Sequence, residues 1–346
     1  MRSLKDISWN ISEEDYRKDP ALSYSTLARF NREGFNNLNK LFDKIETPSL
    51  TFGSAVDSII TGGMEEFNER FIVADFPEIP DSIVKIVKRL FNSLKDKYTS
   101  LVKIPNDDII YITQEESYQL NWKPETRAKI IKEKGSEYYD LLYIAGDKTI
   151  LDTQTYLDVV NSVDALKTNT ATKYYFAADN PYTNVRRYYQ LKFKSVFDDI
   201  NYRCMMDLVV VDYDNKTITP VDLKTSSHAE WEFYKSFKEW NYQIQARLYW
   251  RILKDNLEKD EYFKDFKLLD YIFIVVNRKT LTPLVWKFPL TSEYGTLKFG
   301  KNSQIEMRDP FDLGKELSSY LKYNPRVPKG INIVKSNNIE EWLNTL

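Results

Sequence analysis

The feature that most restricts this chain is a pair of charges set inside an otherwise apolar strand. Val221-Asp222-Leu223-Lys224-Thr225 alternates. A period of two sends Asp222 and Lys224 to one face and Val221 and Leu223 to the other. Two strand-like segments precede it, Tyr188–Phe197 and Tyr202–Val211, and the strand itself spans Ile218–Thr225. Asp212-Tyr213-Asp214-Asn215-Lys216 supplies turn chemistry before that last strand. If the hairpin closes on Asp214-Asn215, Asp207 falls directly opposite Asp222. A four-residue loop, Tyr213–Lys216, preserves the same register. Paired side chains share a face with Cβ atoms ~4.5–5.5 Å apart. The sequence therefore predicts two carboxylates held close together beside a lysine.

Carboxylates that close repel unless a cation lies between them. Oxygen-only donors favour Mg²⁺ or Mn²⁺. Such an ion lowers the pKa of bound water and neutralises charge developing on a phosphorus centre. A lysine alongside hydrogen-bonds the attacking water or stabilises the transition state. A D-x-K triplet alone is common on solvated strand faces. The Asp207 register and the helix after the strand set this one apart.

In that helix Gln245 and Tyr249 stand at i and i+4 on one face, while Ile244 and Leu248 form an adjacent stripe for packing on a sheet. Arg247 and Arg251 are expected on other faces, where they could meet phosphates.

Composition narrows the chemistry. The chain holds one cysteine, Cys204, and one histidine, His228. Disulfide frameworks and cysteine- or histidine-rich zinc sites are excluded. Lys and Arg, at 49, nearly balance Asp and Glu, at 51, so net charge announces no partner. The opening MRSLKDISWN lacks an apolar signal core, and no apolar run would span a bilayer. The expectation is a cytoplasmic protein with no membrane partner.

The earlier part reads as helical. Ser23 or Ser25 is expected to cap a helix over Tyr24–Asn31, and Thr51 another that stops at Gly62-Gly63. Ile83, Ile86, Val87, Leu90, Leu94 and Leu101 recur at helical spacing after Pro80-Asp81. Residues 106–146 are mixed, polar and aromatic. Asp152 caps a further helix with Leu157, Val160, Val163 and Leu166 on one face. Beyond the D-x-K strand come helices over Ala229–Trp240 and Tyr242–Asn256, strands over Leu269–Asn277 and Leu284–Phe288, and a closing helix over Leu313–Tyr323. The pattern predicts an α/β fold with a mixed sheet flanked by helices. We expect one domain over 1–346: a helical part at 1–75, a helical insertion at 76–150, a core at 151–290 and an extension at 291–346.

At these residues the sequence resembles the PD-(D/E)XK nuclease superfamily, especially its RecB-like and exodeoxyribonuclease VIII (RecE-like), phage-type branch. Asp207, Asp222-Leu223-Lys224 and Gln245-Ala246-Arg247-Leu248-Tyr249 match the metal aspartate, the D/E-x-K strand and the Q-x-x-x-Y helix. Asp222-Leu223-Lys224-Thr225-Ser226 is similar to the branch's D-L-K-T-[ST/T]. Leu22-Ser23-Tyr24-Ser25-Thr26-Leu27 is similar to its opening helix, and Phe52-Gly53-Ser54-Ala55-Val56-Asp57 to its F-G-x-A-x-H helix. Two positions depart: Asp57 replaces the metal-binding histidine, and Gln190 stands where a glutamate is frequent. With Cys204 alone, the iron–sulfur cluster of some relatives is excluded.

The resemblance implies a restriction-endonuclease-like core and a magnesium-dependent (or manganese-dependent) deoxyribonuclease. Asp57, Asp207, Asp222 and the Leu223 carbonyl would hold the ion, and Lys224 would activate water. Gln245 and Tyr249 would orient Lys224 or contact DNA, and Arg29 or Arg32, near the first motif, would bind a terminal phosphate. It further implies an exonuclease on linear double-stranded DNA ends in recombination or replication, a homo-oligomeric ring, and a single-strand annealing or recombination partner. The alternatives are a structure-specific or restriction-like endonuclease, and a non-catalytic DNA-end-binding protein that kept the fold.

Overall fold

A computed structural model describes residues 1–43, 45, 47–75, 78–290, 295–299 and 303–323. The chain divides into two compact units, one of Met1–Asp57 with Asn161–Leu346, the other of Ser58–Val160. The second begins earlier and ends later than the expected insertion at 76–150, because its boundaries fall inside helices.

The chain opens with α1 (Glu13–Lys18), α2 (Tyr24–Glu33) and α3 (Pro48–Arg70). Ser23 occupies the cap position of α2 without capping it; its Oγ lies 2.9 Å from Ser25 Oγ and 3.2 Å from Thr26 Oγ1. Helix α3 starts before Thr51, with Leu50 N–H donating to Thr47 Oγ1 at 3.2 Å. Its first segment ends at the expected stop: Gly63, at φ 72° and ψ −159°, leaves the helical conformation, and a second segment runs on to Arg70.

In the second unit β1 (Phe71–Val73) is followed by α4 (Asp81–Leu94), α5 (Asn106–Glu115), α6 (Pro124–Ala145) and β2 (Thr149–Leu151), which pairs parallel with β1. The expected stripe of α4 is buried: Ile83, Ile86, Val87 and Leu90 join Ile109, Ala128, Ile131 and Tyr139 in one core. Residues 106–146, which the sequence left mixed, form α5 and α6. In α6 the apolar positions are interrupted by Arg127 and Gly135, both buried, so the helical period is hard to see.

Next comes α7 (Thr153–Thr168). Asp152 caps it as expected, accepting from Thr155 N–H at 2.7 Å and from Thr155 Oγ1 at 2.8 Å. Its buried stripe is Val159, Val163 and Leu166; Leu157 and Val160 are 46% and 37% exposed. Val163 and Leu166 are thus buried as expected, while Val159 takes the place of Val160 and Leu157 faces outward.

After α8 (Lys173–Phe176) the central sheet is laid down by β3 (Val185–Phe197), β4 (Ile200–Asp212) and β5 (Thr217–Ser226). Asp198 and Asp199, both at positive φ, make the tight turn between β3 and β4. The β4–β5 turn is the four-residue loop: Asp212 Oδ1 accepts from Asp214 N–H at 3.1 Å and Asn215 N–H at 3.0 Å. Helices α9 (Phe233–Glu239) and α10 (Tyr242–Glu258) carry the chain over to β6 (Lys267–Leu268) and β7 (Tyr271–Asn277), both parallel to β5. Parallel neighbours need such a crossover. Antiparallel β8 (Leu284–Phe288) completes the order β3-β4-β5-β7-β8. A hairpin of β9 (Gly295–Phe299) and β10 (Ser303–Met307) and then α11 (Pro310–Tyr323) follow.

This is a mixed α/β fold. Ile244, Leu248, Ile252 and Leu253 of α10 share a core with Cys204, Met206, Val209 and Val211 of β4 and Phe273 and Val275 of β7. Helix α11 adds Leu313 and Leu317. Among the described residues, no helix is long and apolar enough to cross a membrane.

Candidate active site

The β4–β5 ladder runs from Asp212↔Thr217 to Leu208↔Val221 and there ends. From Val221 onward β5 pairs with β7. The next residues along the expected register are Asp207 and Asp222, so both carboxylates stand where the strands part. Splaying frees Leu223 N–H from the ladder, and Asp207 Oδ2 accepts it at 3.0 Å. The expected register is therefore present, although Asp207 and Asp222 lie one step beyond its last hydrogen-bonded pair.

Asp222 is 1% exposed. Its Oδ1 accepts from Gln245 Nε2, and its Oδ2 is ion-paired with Lys224. Gln245 thus acts on Asp222, and not directly on Lys224. Burial pulls the Lys224 ammonium towards neutrality, but Asp222, Tyr242 and Asp207 outweigh it and hold its pKa above the ordinary lysine value. Asp207 lies well above the ordinary carboxylate range through burial first, then the charges of Asp222 and Asp57; Lys224 and the Leu223 N–H oppose this.

Helix α3 brings Asp57. A Cβ built on Gly53 would lie 3.2 Å from Thr225 Oγ1, so the helix packs tightly against the end of β5 at this glycine. One turn on, Asp57 Oδ2 accepts from Gln190 Nε2 at 2.9 Å. The two positions that depart from the family pattern are partners. Among the described residues, no three His, Cys, Asp or Glu side chains converge in a cluster that could hold an ion. Asp57, Asp207 and Asp222 are electrostatic neighbours and not a closed ligand triad.

Tyr249 is buried, its ring 6.4 Å from that of Tyr24 and perpendicular to it. Burial, followed by Tyr16 and Cys204, raises its phenol well above the ordinary value. Arg247 is not on a solvated face: it is 6% exposed, 5.6 Å above the Phe288 ring, and donates to Met307 Sδ at 3.9 Å. Phe288 of β8 and Met307 of β10, distant in sequence, lie against it. Arg251 is exposed, with its guanidinium 5.6 Å from the Phe197 ring. Arg29 is engaged with Glu33 at 3.2 Å and the Asp43 carbonyl at 3.4 Å. Arg32 is exposed and stacks on Trp240 at 5.2 Å.

Sequence reasoning missed Tyr242. Lys224 Nζ lies 4.9 Å from the Tyr242 ring centroid, and that ring stacks on Phe273. Asn241, left-handed at φ 55°, turns the chain into α10. Helix α2 secures this corner through Tyr24 Oη to the Trp240 carbonyl at 2.7 Å and Asn31 Nδ2 to Asn241 Oδ1 at 3.1 Å. An asparagine just before the helix was the available signal.

No protein-family model matches the sequence, and no curated protein matches it. A solved structure from Eubacterium rectale, named "Putative exonuclease", aligns at 12% identity with a TM-score of 0.41, covering 93% of this chain and 88% of that one.

Proposed function

We propose that this chain is a divalent-cation-dependent DNA nuclease with a PD-(D/E)XK-type core, acting on the ends of linear double-stranded DNA. The observation that carries the reading is the splayed end of β4 and β5, where buried Asp222 meets half-buried Asp207 and Lys224 beside Gln245. Carboxylates are rarely gathered at a buried strand end without a compensating charge. Asp207 and Asp222 share one lysine, and Asp57 adds its charge at Asp207. The donors are all oxygen, which suits Mg²⁺ or Mn²⁺ in kind and in charge. Asp207, Asp222 and the Leu223 carbonyl would hold the ion, with Asp57 the outer candidate.

When bound, such an ion supplies an acidic water and neutralises charge on the scissile phosphate. The chain's own groups do the rest. Gln245 fixes the rotamer of Asp222, and Leu223 N–H fixes that of Asp207. Lys224, held cationic by Asp222 and backed by the Tyr242 ring, presents charge to the phosphate. Recombination partners and a ring assembly belong to the same proposal through the family resemblance.

A second reading, a DNA-end-binding protein without cleavage, draws on the engagement of both Asp222 oxygens by Gln245 and Lys224. Incubation with linear and covalently closed duplex DNA, with Mg²⁺ or with EDTA, separates the readings. The nuclease reading expects degradation of linear DNA in Mg²⁺ only. Cleavage of closed circles would replace end-dependence with endonuclease action. Tight binding without cleavage in Mg²⁺ or Mn²⁺ would leave the binding reading.

A further inference from the structure

Gln190 carries a left-handed backbone, φ 52°, inside a strand. A non-glycine residue is strained there, and such strain persists only where its surroundings over-determine it. The surroundings are specific. The β3–β4 ladder is paired at Tyr189↔Leu208 and at Leu191↔Met206, and the one pair missing between them is Gln190 with Asp207. The alternation slips at the same place on both strands. Tyr188 shares a core with Leu191 and Phe193, and Met206 with Val209 and Val211, where strict alternation would put each set on opposite faces. The slip thus falls on Asp207, and the side chain of Gln190 spans to Asp57 at 2.9 Å.

We propose that Gln190 is a positioning residue: its left-handed backbone releases Asp207 from the ladder, and its amide holds the Asp57 carboxylate beside the Asp207–Asp222 pair. This rests on the nuclease reading. A glutamine suits the role where a glutamate would not. Its amide donates to a carboxylate and adds no charge to a site that already holds three acidic groups. Gln190 touches no reacting atom and acts through Asp57 and Asp207.

The test compares wild type with Gln190→Gly, Asp57→Ala, their double variant, Gln190→Glu, and the exchanged pair Asp57→Asn with Gln190→Glu. Gln190→Gly accepts the left-handed backbone freely and removes only the amide. The readouts are kcat and KM on linear duplex DNA, calorimetric Mn²⁺ affinity, and the thermal midpoint. Gln190→Gly is expected to lower kcat and Mn²⁺ affinity about 10–100-fold, with KM unchanged and the midpoint not lowered. It should add nothing to the loss in Asp57→Ala. The exchanged pair, which re-forms the hydrogen bond with donor and acceptor reversed, should recover about tenfold over Gln190→Glu alone.

Wild-type kcat and Mn²⁺ affinity in Gln190→Gly would overturn the proposal. So would losses that multiply with Asp57→Ala, or activity that falls only in step with the midpoint. A wild-type protein that neither cleaves DNA nor binds Mn²⁺ would overturn the nuclease reading itself, and this proposal with it.

Discussion

At Asp207, burial and the charges of Asp222 and Asp57 act in one direction, so the folded chain binds the proton more tightly than the unfolded one. Stability is therefore lost as pH rises from about 4, the ordinary aspartate value, towards the raised folded value. Asp207→Asn should raise the thermal midpoint at neutral pH while removing Mn²⁺ binding, and the gain should vanish below about pH 4. Denaturation across that pH range checks the sign; a variant less stable at pH 7 would refute it. Lys224 is the converse case. The sequence suggests that it serves chemistry alone, but it neutralises a carboxylate that is 1% exposed. Lys224→Ala should abolish cleavage, spare DNA binding, and also cost about 3–5 kcal/mol by stranding Asp222. Lys224→Ala with Asp222→Asn should regain most of that stability and none of the activity. Asp207, Asp222 and Lys224 are legible from alternation and hairpin register, because both are local. The Asp57–Gln190 hydrogen bond joins residues 133 positions apart, and nothing local announces it.

Among the secondary-structure elements, caps and stripes explain what could be read. Asp152 accepts from the first turn of α7, and those hydrogen bonds lower its pKa. Asp152→Ala should cost about 1 kcal/mol. The difference should be full above the unfolded aspartate value and fade as pH falls through the lowered folded one. Calorimetric melting at pH 7 and pH 3 reads this directly. In α6, Gly135→Ala sets two effects against each other. Helix propensity gains about 1 kcal/mol. A Cβ there would lie 2.5 Å from Val87 Cγ2 and 3.1 Å from Leu101 Cδ2, and overpacking of that kind costs about 1–3 kcal/mol. Packing should win, with a midpoint lower by a few degrees; a raised midpoint would show that α4 yields. The first half of the α7 stripe was misplaced because Leu157 and Val160 lead into Val163 at a helical period as well as Val159 does. Periodicity finds a helix more reliably than it finds which face meets a neighbour.

For the molecule as a whole, the two units keep separate cores, one built on the sheet and α10, the other on α4, α5 and α6. Gly135→Ala should therefore raise amide exchange in α4 and α6 and leave β5 and α10 protected. Loss of protection in β5 would show that the cores melt together. The sequence by itself determined the strand alternation, the turn that sets the β4–β5 register, and an oxygen-and-lysine chemistry with no cysteine or histidine set to compete. Those follow from spacing along a few residues and from composition. Only the tertiary structure decided that β4 and β5 part at Asp207, that Gln190 is left-handed and donates to Asp57, that Tyr242 lies beneath Lys224, and that Arg247 is covered by Phe288 and Met307. Each of these is a contact between segments far apart in the chain. Its free energy depends on what surrounds a residue once the sheet and α10 have closed, and so on burial and neighbouring charge that no local pattern encodes.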